Sequence, residues 1–228
     1  MRRYLVVLVG VAMLAVFSQS SVSARLGFSC DGEVATISGT DDPETLEGTP
    51  GDDVIVGRDG GDLINGKGGD DIICGAGNPP GGESSIDLDT IKGGAGRDRI
   101  FGDYDADDIS GGKGGDFLVG NFGDTMFNTN PLDRDTILGG LGPDKIVGDA
   151  TTTFGIDAIS DPKLDGGEGD DRIWGDSRTP DLAGDPTSGG AGKDRLFGRA
   201  GDDLLDGQRS RDRCRGGSGA DTLRHCER

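Results

Sequence analysis

Twelve aspartates, Asp53, Asp62, Asp71, Asp98, Asp107, Asp116, Asp144, Asp171, Asp194, Asp203, Asp212 and Asp221, each stand sixth in a nine-residue block that begins with glycine. Carboxylates can do acid/base chemistry in pairs or bind cations. A catalytic pair occurs once, whereas this carboxylate returns in every block. Ligation therefore accounts for the pattern better. The ligand set is hard: the single histidine, His225, lies near the C-terminus and the four cysteines are scattered, so no soft-metal cluster is assembled. The sequence has no HExxH, GxSxG or phosphate-binding loop motif, so it carries no expectation of an enzyme.

The rest of each block must position the carboxylate. Glycines at the first, second and fourth places permit positive φ, which a six-residue loop needs to turn its carbonyl oxygens toward one point. Position eight is Ile55, Ile64, Ile73, Ile100, Ile109, Leu118, Ile146, Ile173, Leu196, Leu205, Cys214 and Leu223, aliphatic in all but one case. Positions seven to nine thus read as a very short strand with one inward aliphatic side chain. Two blocks, eighteen residues, make one coil of a solenoid with two facing sheets. Asp89 and Ile91 keep the phase in a block without its glycines, and Thr45 and Leu46 continue the strand pattern backward.

Stacking brings the sixth residue of one block beside that of the block eighteen residues later, about 4.8 Å away. Two carboxylates that close repel unless a cation lies between them. Calcium suits the place best, because it accepts six to eight oxygens, backbone carbonyls included, in irregular geometry.

Composition bounds the alternatives. Only 32% of the 228 residues are hydrophobic and 5% aromatic, too little for a conventional α/β enzyme core. Forty-five glycines, nine prolines and a net charge of −19 would by themselves suggest disorder, but a disordered chain has no reason to keep a nine-residue phase. The acidity also argues against a nucleic-acid partner.

The pattern GGxGxDxUx, with U aliphatic, resembles the haemolysin-type calcium-binding nonapeptide of the RTX family, and the resemblance covers roughly residues 48–224. It implies an all-β fold, a parallel β-roll solenoid of 18-residue turns, with calcium held between successive loops by position-six Asp and loop carbonyls. Carried onto this chain, the implied pairs are Asp53 with Asp71, Asp71 with Asp89, Asp89 with Asp107, Asp98 with Asp116, Asp194 with Asp212, and Asp203 with Asp221. Asp62 would meet Pro80, leaving that site in doubt. Many family members are large toxins, proteases or lipases with an uncleaved C-terminal signal, and that activity does not follow from the resemblance.

Residues 1–24 read as a signal peptide. Arg2 and Arg3 precede an apolar run over 5–17, and Val22-Ser23-Ala24 offers small residues for cleavage after Ala24. The run is too short to span a membrane, so a secreted, extracellular protein is expected. Residues 25–47 read as an N-terminal cap, 48–224 as the roll and 225–228 as a tail. In an exported chain four cysteines suggest two disulfides. Cys214 and Cys226 would staple the C-terminal end, and Cys30 would join Cys74 if residues 25–38 fold back; free thiols are the alternative.

Insertions near 76–90, 121–135, 149–165 and 176–188 interrupt the repeat, either as partner-binding elements of an adhesive or surface-layer protein or as tolerated loops. Position nine is apolar at Phe101, Val119, Leu138, Val147, Trp174 and Phe197. If alternation is preserved all of these but Val147 share one outer face, either a stripe for a protein or cell-surface partner or a satellite core covered by Phe122, Phe127 and Phe154.

Overall fold

The structure, a computed structural model, describes residues 28–76, 88–103, 105–123, 134–151, 163–177, 193–207 and 211–227. Their strands form two nine-stranded parallel sheets, each following the chain in order, with successive strands alternating between them. The first sheet holds Ile37–Ser38, Val54–Val56, Ile72–Cys74, Arg99–Phe101, Phe117–Gly123, Lys145–Thr151, Arg172–Ser177, Leu204–Asp206 and Thr222–Arg224. The second holds Thr45–Glu47, Leu63–Gly68, Thr90–Ala95, Asp108–Lys113, Thr136–Leu141, Lys163–Glu168, Arg195–Ala200, Asp212–Ser218 and Cys226–Glu227. This is the parallel β-roll that the two-block coil requires.

Register follows the repeat: Ile55 pairs with Ile73, Ile73 with Ile100, Leu118 with Ile146. Position eight fills the space between the sheets in single file, from Leu46 to Leu205, and every member but Leu46 is wholly buried. One aliphatic group per strand suffices because neighbouring strands stack like on like, so little apolar material builds a continuous core. Ile137 and Leu164 belong to this file although their blocks lack the opening glycine. Both sheets begin within the segment read as the cap, at Ile37 and Thr45, and the last strand lies within the segment read as the tail.

A second apolar cluster covers the outer face of the first sheet: Cys30, Val56, Cys74, Phe101, Val119, Val147 and Trp174. Phe117 stands edge-on to Phe101 with ring centres 6.1 Å apart. Of the two alternatives for this face the exposed stripe does not hold, and Val147, counted away from the face, belongs to it. Phe101, Val119 and Trp174 are 3%, 0% and 5% exposed. Leu138 and Phe197 lie in the second sheet, with Leu138 40% exposed. Among the described strands Thr136–Leu141 follows Phe117–Gly123 directly and falls on the opposite sheet.

Both cystines join the anticipated partners. Ser29–Cys30 and Glu33–Val34 form an antiparallel hairpin, folded back so that Cys30 reaches Cys74 with Cα atoms 5.7 Å apart. An Arg99–Asp31 ion pair and Arg58 stacked 4.3 Å over the Phe28 ring hold the same hairpin down. Cys214 and Cys226, 5.6 Å apart at Cα, tie the last strand to its neighbour. Among the described residues no helix is long and apolar enough to cross a membrane. The residues read as a signal peptide lie outside the described set, as do Met126, Phe127, Phe154, the side chain of Phe122 and the prolines of the insertions.

Candidate metal centre

Turns from the second sheet to the first make one edge of the roll, and turns back make the other. The first kind is uniformly short, as at 69–71, 96–98, 114–116 and 142–144. All four insertions fall in the second kind, between Cys74 and Thr90, Gly123 and Thr136, Thr151 and Lys163, and Ser177 and Arg195. The molecule therefore has a regular edge and an insertion edge.

Along the regular edge the aspartates form an unbroken ladder. The backbone N–H of Asp53 donates to Oδ1 of Asp71 at 2.9 Å, Asp71 to Asp98 at 3.0 Å, and Asp98 to Asp116 at 2.9 Å. Asp116 donates to Asp144 at 2.8 Å, Asp144 to Asp171 at 2.9 Å, Asp171 to Asp203 at 3.0 Å, and Asp203 to Asp221 at 3.2 Å. Along the insertion edge Glu44 donates to Asp62 at 2.9 Å, Asp62 to Asp89 at 2.7 Å, Asp89 to Asp107 at 2.9 Å, Asp107 to Asp135 at 2.8 Å, and Asp194 to Asp212 at 2.9 Å.

Five of the six implied pairs are neighbours. The sixth is not: Asp71 lies beside Asp98, and Asp89 lies beside Asp62, which does not need position 80. Across the insertion after Cys74 the described strands pair directly, Leu63 with Thr90 and Ile72 with Arg99, so neighbours are 27 residues apart. Two members of the ladders escaped the sequence pattern. Asp135 lacks its glycines, yet the Asp-x-Ile of Asp135 and Ile137 marks it; Glu44 stands sixth after Gly39 with Leu46 eighth, so glutamate fills the aspartate's place. On the insertion edge the residue before Lys163 is Pro162, where the neighbouring strands at Thr136 and Arg195 follow Asp135 and Asp194.

Along each run of these bonds the Oδ1 of the following aspartate is thus satisfied by an amide, which partly offsets the repulsion between neighbours. The second oxygen is different. The Oδ2 atoms of Asp62, Asp71, Asp98, Asp107, Asp116, Asp144, Asp171 and Asp203 are buried and accept no hydrogen bond. A buried acceptor without a donor is costly, the more so when charged.

The glycines show what surrounds that oxygen. A Cβ on Gly93 would collide with Oδ2 of Asp98 and crowd the Gly111 carbonyl oxygen. The same holds at Gly111 for Asp116 and Gly139, and at Gly139 for Asp144 and Gly166. Carboxylate oxygen and next-coil carbonyl oxygen therefore converge on a space that only glycine leaves open. With acceptors gathered and no donor among them, the cradle suits a hard cation. Among the described residues no three side chains of the His, Cys, Asp and Glu types converge on a point, so carbonyls must supply the remaining oxygens.

Electrostatics agree. Burial raises Asp62 and Asp71 to about 6 and Asp98, Asp144 and Asp171 to about 7 from the ordinary 3.8, against the lowering effect of the amide each accepts. Burial pushes Asp107, Asp116 and Asp203 upward as well. As anions at neutral pH these carboxylates need a counter-charge.

No curated protein matches the chain. The RTX calcium-binding nonapeptide repeat (4 copies) matches residues 38–73, 86–124, 132–151, 163–177 and 188–223. With that match covering more than half of the sequence, and the β-roll it describes present strand by strand, the chain belongs to the RTX calcium-binding nonapeptide repeat family.

Proposed function

We propose that this calcium-binding repeat protein is a cation-gated fold, in which binding and coiling are one equilibrium. The observation that carries the reading is the row of buried Oδ2 atoms facing carbonyl oxygens with no donor in reach. Asp53, Asp71, Asp98, Asp116, Asp144, Asp171, Asp203 and Asp221 would hold ions along the regular edge. Glu44, Asp62, Asp89, Asp107, Asp135, Asp194 and Asp212 would do so along the insertion edge. When bound, each calcium supplies two positive charges and draws six to eight oxygens together. The chain's part is to present those oxygens: glycine opens the cradle, the amide of the preceding coil orients Oδ1, and the aliphatic file holds the coils in register. No step of this function is enzymatic.

Without the ion, repulsion among the acids opposes compaction, so calcium favouring only the coiled state drives folding by mass action. Two disulfides fit an oxidising, extracellular setting, where sites of about 10⁻⁴–10⁻³ M would be filled. Circular dichroism, hydrodynamic radius and bound-ion count followed through one calcium titration test the reading. The β signal and the compaction should rise together with ions bound; full β structure in excess chelator at neutral pH would overturn it.

A second reading has its own support. Because all four insertions lie at one edge, the roll can also serve as a scaffold presenting them to a partner on a cell surface. Deleting 124–133 or 152–162 should then abolish partner retention and leave calcium uptake intact.

A further inference from the structure

Charge is distributed unevenly along the roll. Residues 25–135 carry 24 acidic and eight basic side chains, whereas residues 193–228 carry nine basic and seven acidic ones. Three of those seven acids, Asp194, Asp203 and Asp212, are buried in the ladders, as are eight of the 24, which leaves 16 acidic against eight basic side chains in the first stretch and four against nine in the second. The C-terminal end is thus a basic surface on an acidic protein.

The cations are concentrated on the outer face of the second sheet. Arg195 lies opposite Arg213, and Arg215 lies opposite Phe197, all on adjacent strands about 4.8 Å apart. Arg195, Arg213 and Arg215 are exposed, and among the described residues none makes an ion pair with them. One strand further in, Asp165 is already neutralised: Lys163 bridges it at 2.8 Å, and Arg199 reaches it with Nε at 2.8 Å and Nη2 at 2.6 Å. Burial alone would raise the Asp165 carboxyl, but these two cations hold it below the ordinary range. The anion within the face is therefore spoken for, and the three arginines look outward. At the other end of the roll Asp42, Glu47 and Asp52 are exposed, Glu47 with Lys67 bridging it at 3.1 Å.

We propose that Arg195, Arg213 and Arg215 dock the acidic N-terminal half of a second copy, so that calcium-loaded chains associate head to tail. The charge complementarity is intrinsic to the chain, since every copy carries both surfaces. The ions matter indirectly, and here the proposal rests on the calcium reading. A chain at −19 repels its copies, whereas filled ladders cancel most of that charge and leave the two ends to dominate. Because the two patches differ, the contact is heterologous and need not close at a dimer.

Sedimentation velocity of the full chain, with bound calcium counted in the same samples, tests this. In calcium at low ionic strength the wild type should form oligomers that dissociate as salt is added. The variant R195S/R213S/R215S should bind the same number of ions yet associate about tenfold more weakly, while K67S/K92S, which removes cations from the N-terminal end of the same sheet and frees Glu47 from Lys67, should associate at least as tightly as the wild type. The charge-reversed R195E/R213E/R215E should shorten wild-type oligomers on mixing, because its acidic end still caps a free basic face. A wild type that stays monomeric with its full calcium count overturns the proposal. So does a triple-serine variant that associates normally or loses ions, and so does a monomer whose arginines retain dextran sulfate, which would give the face to an anionic polymer. Failure to take up calcium would instead sink the reading of the ladders.

Discussion

Asp71 and Asp98 are 27 residues apart in the sequence and adjacent in space, the amide of one donating to the carboxylate of the other at 3.0 Å. The Oδ2 atoms of both accept nothing. Each aspartate between the ends of the regular edge therefore borders two cradles, one shared with the coil before it and one with the coil after. Asp98→Ala should lower the bound calcium count by about one to two ions and move the folding midpoint to higher calcium. Asp52→Ala, at an exposed carboxylate outside the ladder, should leave the count unchanged. Equilibrium dialysis on both variants distinguishes the ladder from general acidity.

Protons should compete with calcium and partly replace it. The raised carboxyls favour the coiled state fully below their unfolded value near 3.8, and that contribution is lost as pH rises through about 6 for Asp62 and Asp71 and about 7 for Asp98, Asp144 and Asp171. In chelator the chain should accordingly be more compact near pH 4 than near pH 8. Apparent calcium affinity should rise over the same window as protons leave. Far-ultraviolet dichroism against pH, with and without calcium, reads both effects; a metal-free chain that unfolds further on acidification contradicts them.

Glycine is not interchangeable within the loops. Gly114 has φ +139° and a Cβ there would overlap the Gly96 carbonyl oxygen, whereas at Gly51 the nearest atom is Thr49 Oγ1 at 3.9 Å. Gly114→Ala should cost at least about 2 kcal/mol and weaken calcium-driven folding, because backbone must move in two adjacent coils. Gly51→Ala should cost less than about 0.5 kcal/mol. Paired calcium titrations by dichroism measure the difference.

One covalent bond ties the hairpin to the first sheet's outer face, beside the ion pair and the stacked arginine. Cys30–Cys74 closes a 44-residue separation, for which chain entropy gives about 4 kcal/mol of stabilisation. Replacing both cysteines by serine should lower stability by that order and speed amide exchange around Val56 and Phe101, which share the hairpin's cluster. The strands near Ile146 and Ile173 should exchange as before, since a solenoid couples mainly nearest neighbours.

The repeat made most of the core legible because one aliphatic in nine keeps its phase within each uninterrupted run: of the file from Ile55 to Leu205, all but Ile137 and Leu164, which follow insertions, stand where the count places them. Both disulfides were legible because export and end-capping leave few choices. Pairing across insertions was not. A turn can absorb any number of residues without moving the next strand, so counting eighteen joined Asp71 to Asp89, whereas backbone pairing joins it to Asp98. Glu44 was hidden because its longer side chain reaches the same cradle, near Gly39, from a residue type the repeat does not otherwise use. The apolar residues at position nine could be read but not their cover, because burial of Val119 and Trp174 depends on what lies over the sheet and not on the period.

The placement of every insertion at one edge has a consequence for building with this scaffold. Cys74 and Thr90, or Ser177 and Arg195, end and begin strands whose positions the ladder on the far side already dictates. The entropy of closing such a turn grows only logarithmically with its length. Foreign peptides of quite different sizes can therefore be grafted there as interchangeable cargo, several to a molecule, without resetting the thread of the screw.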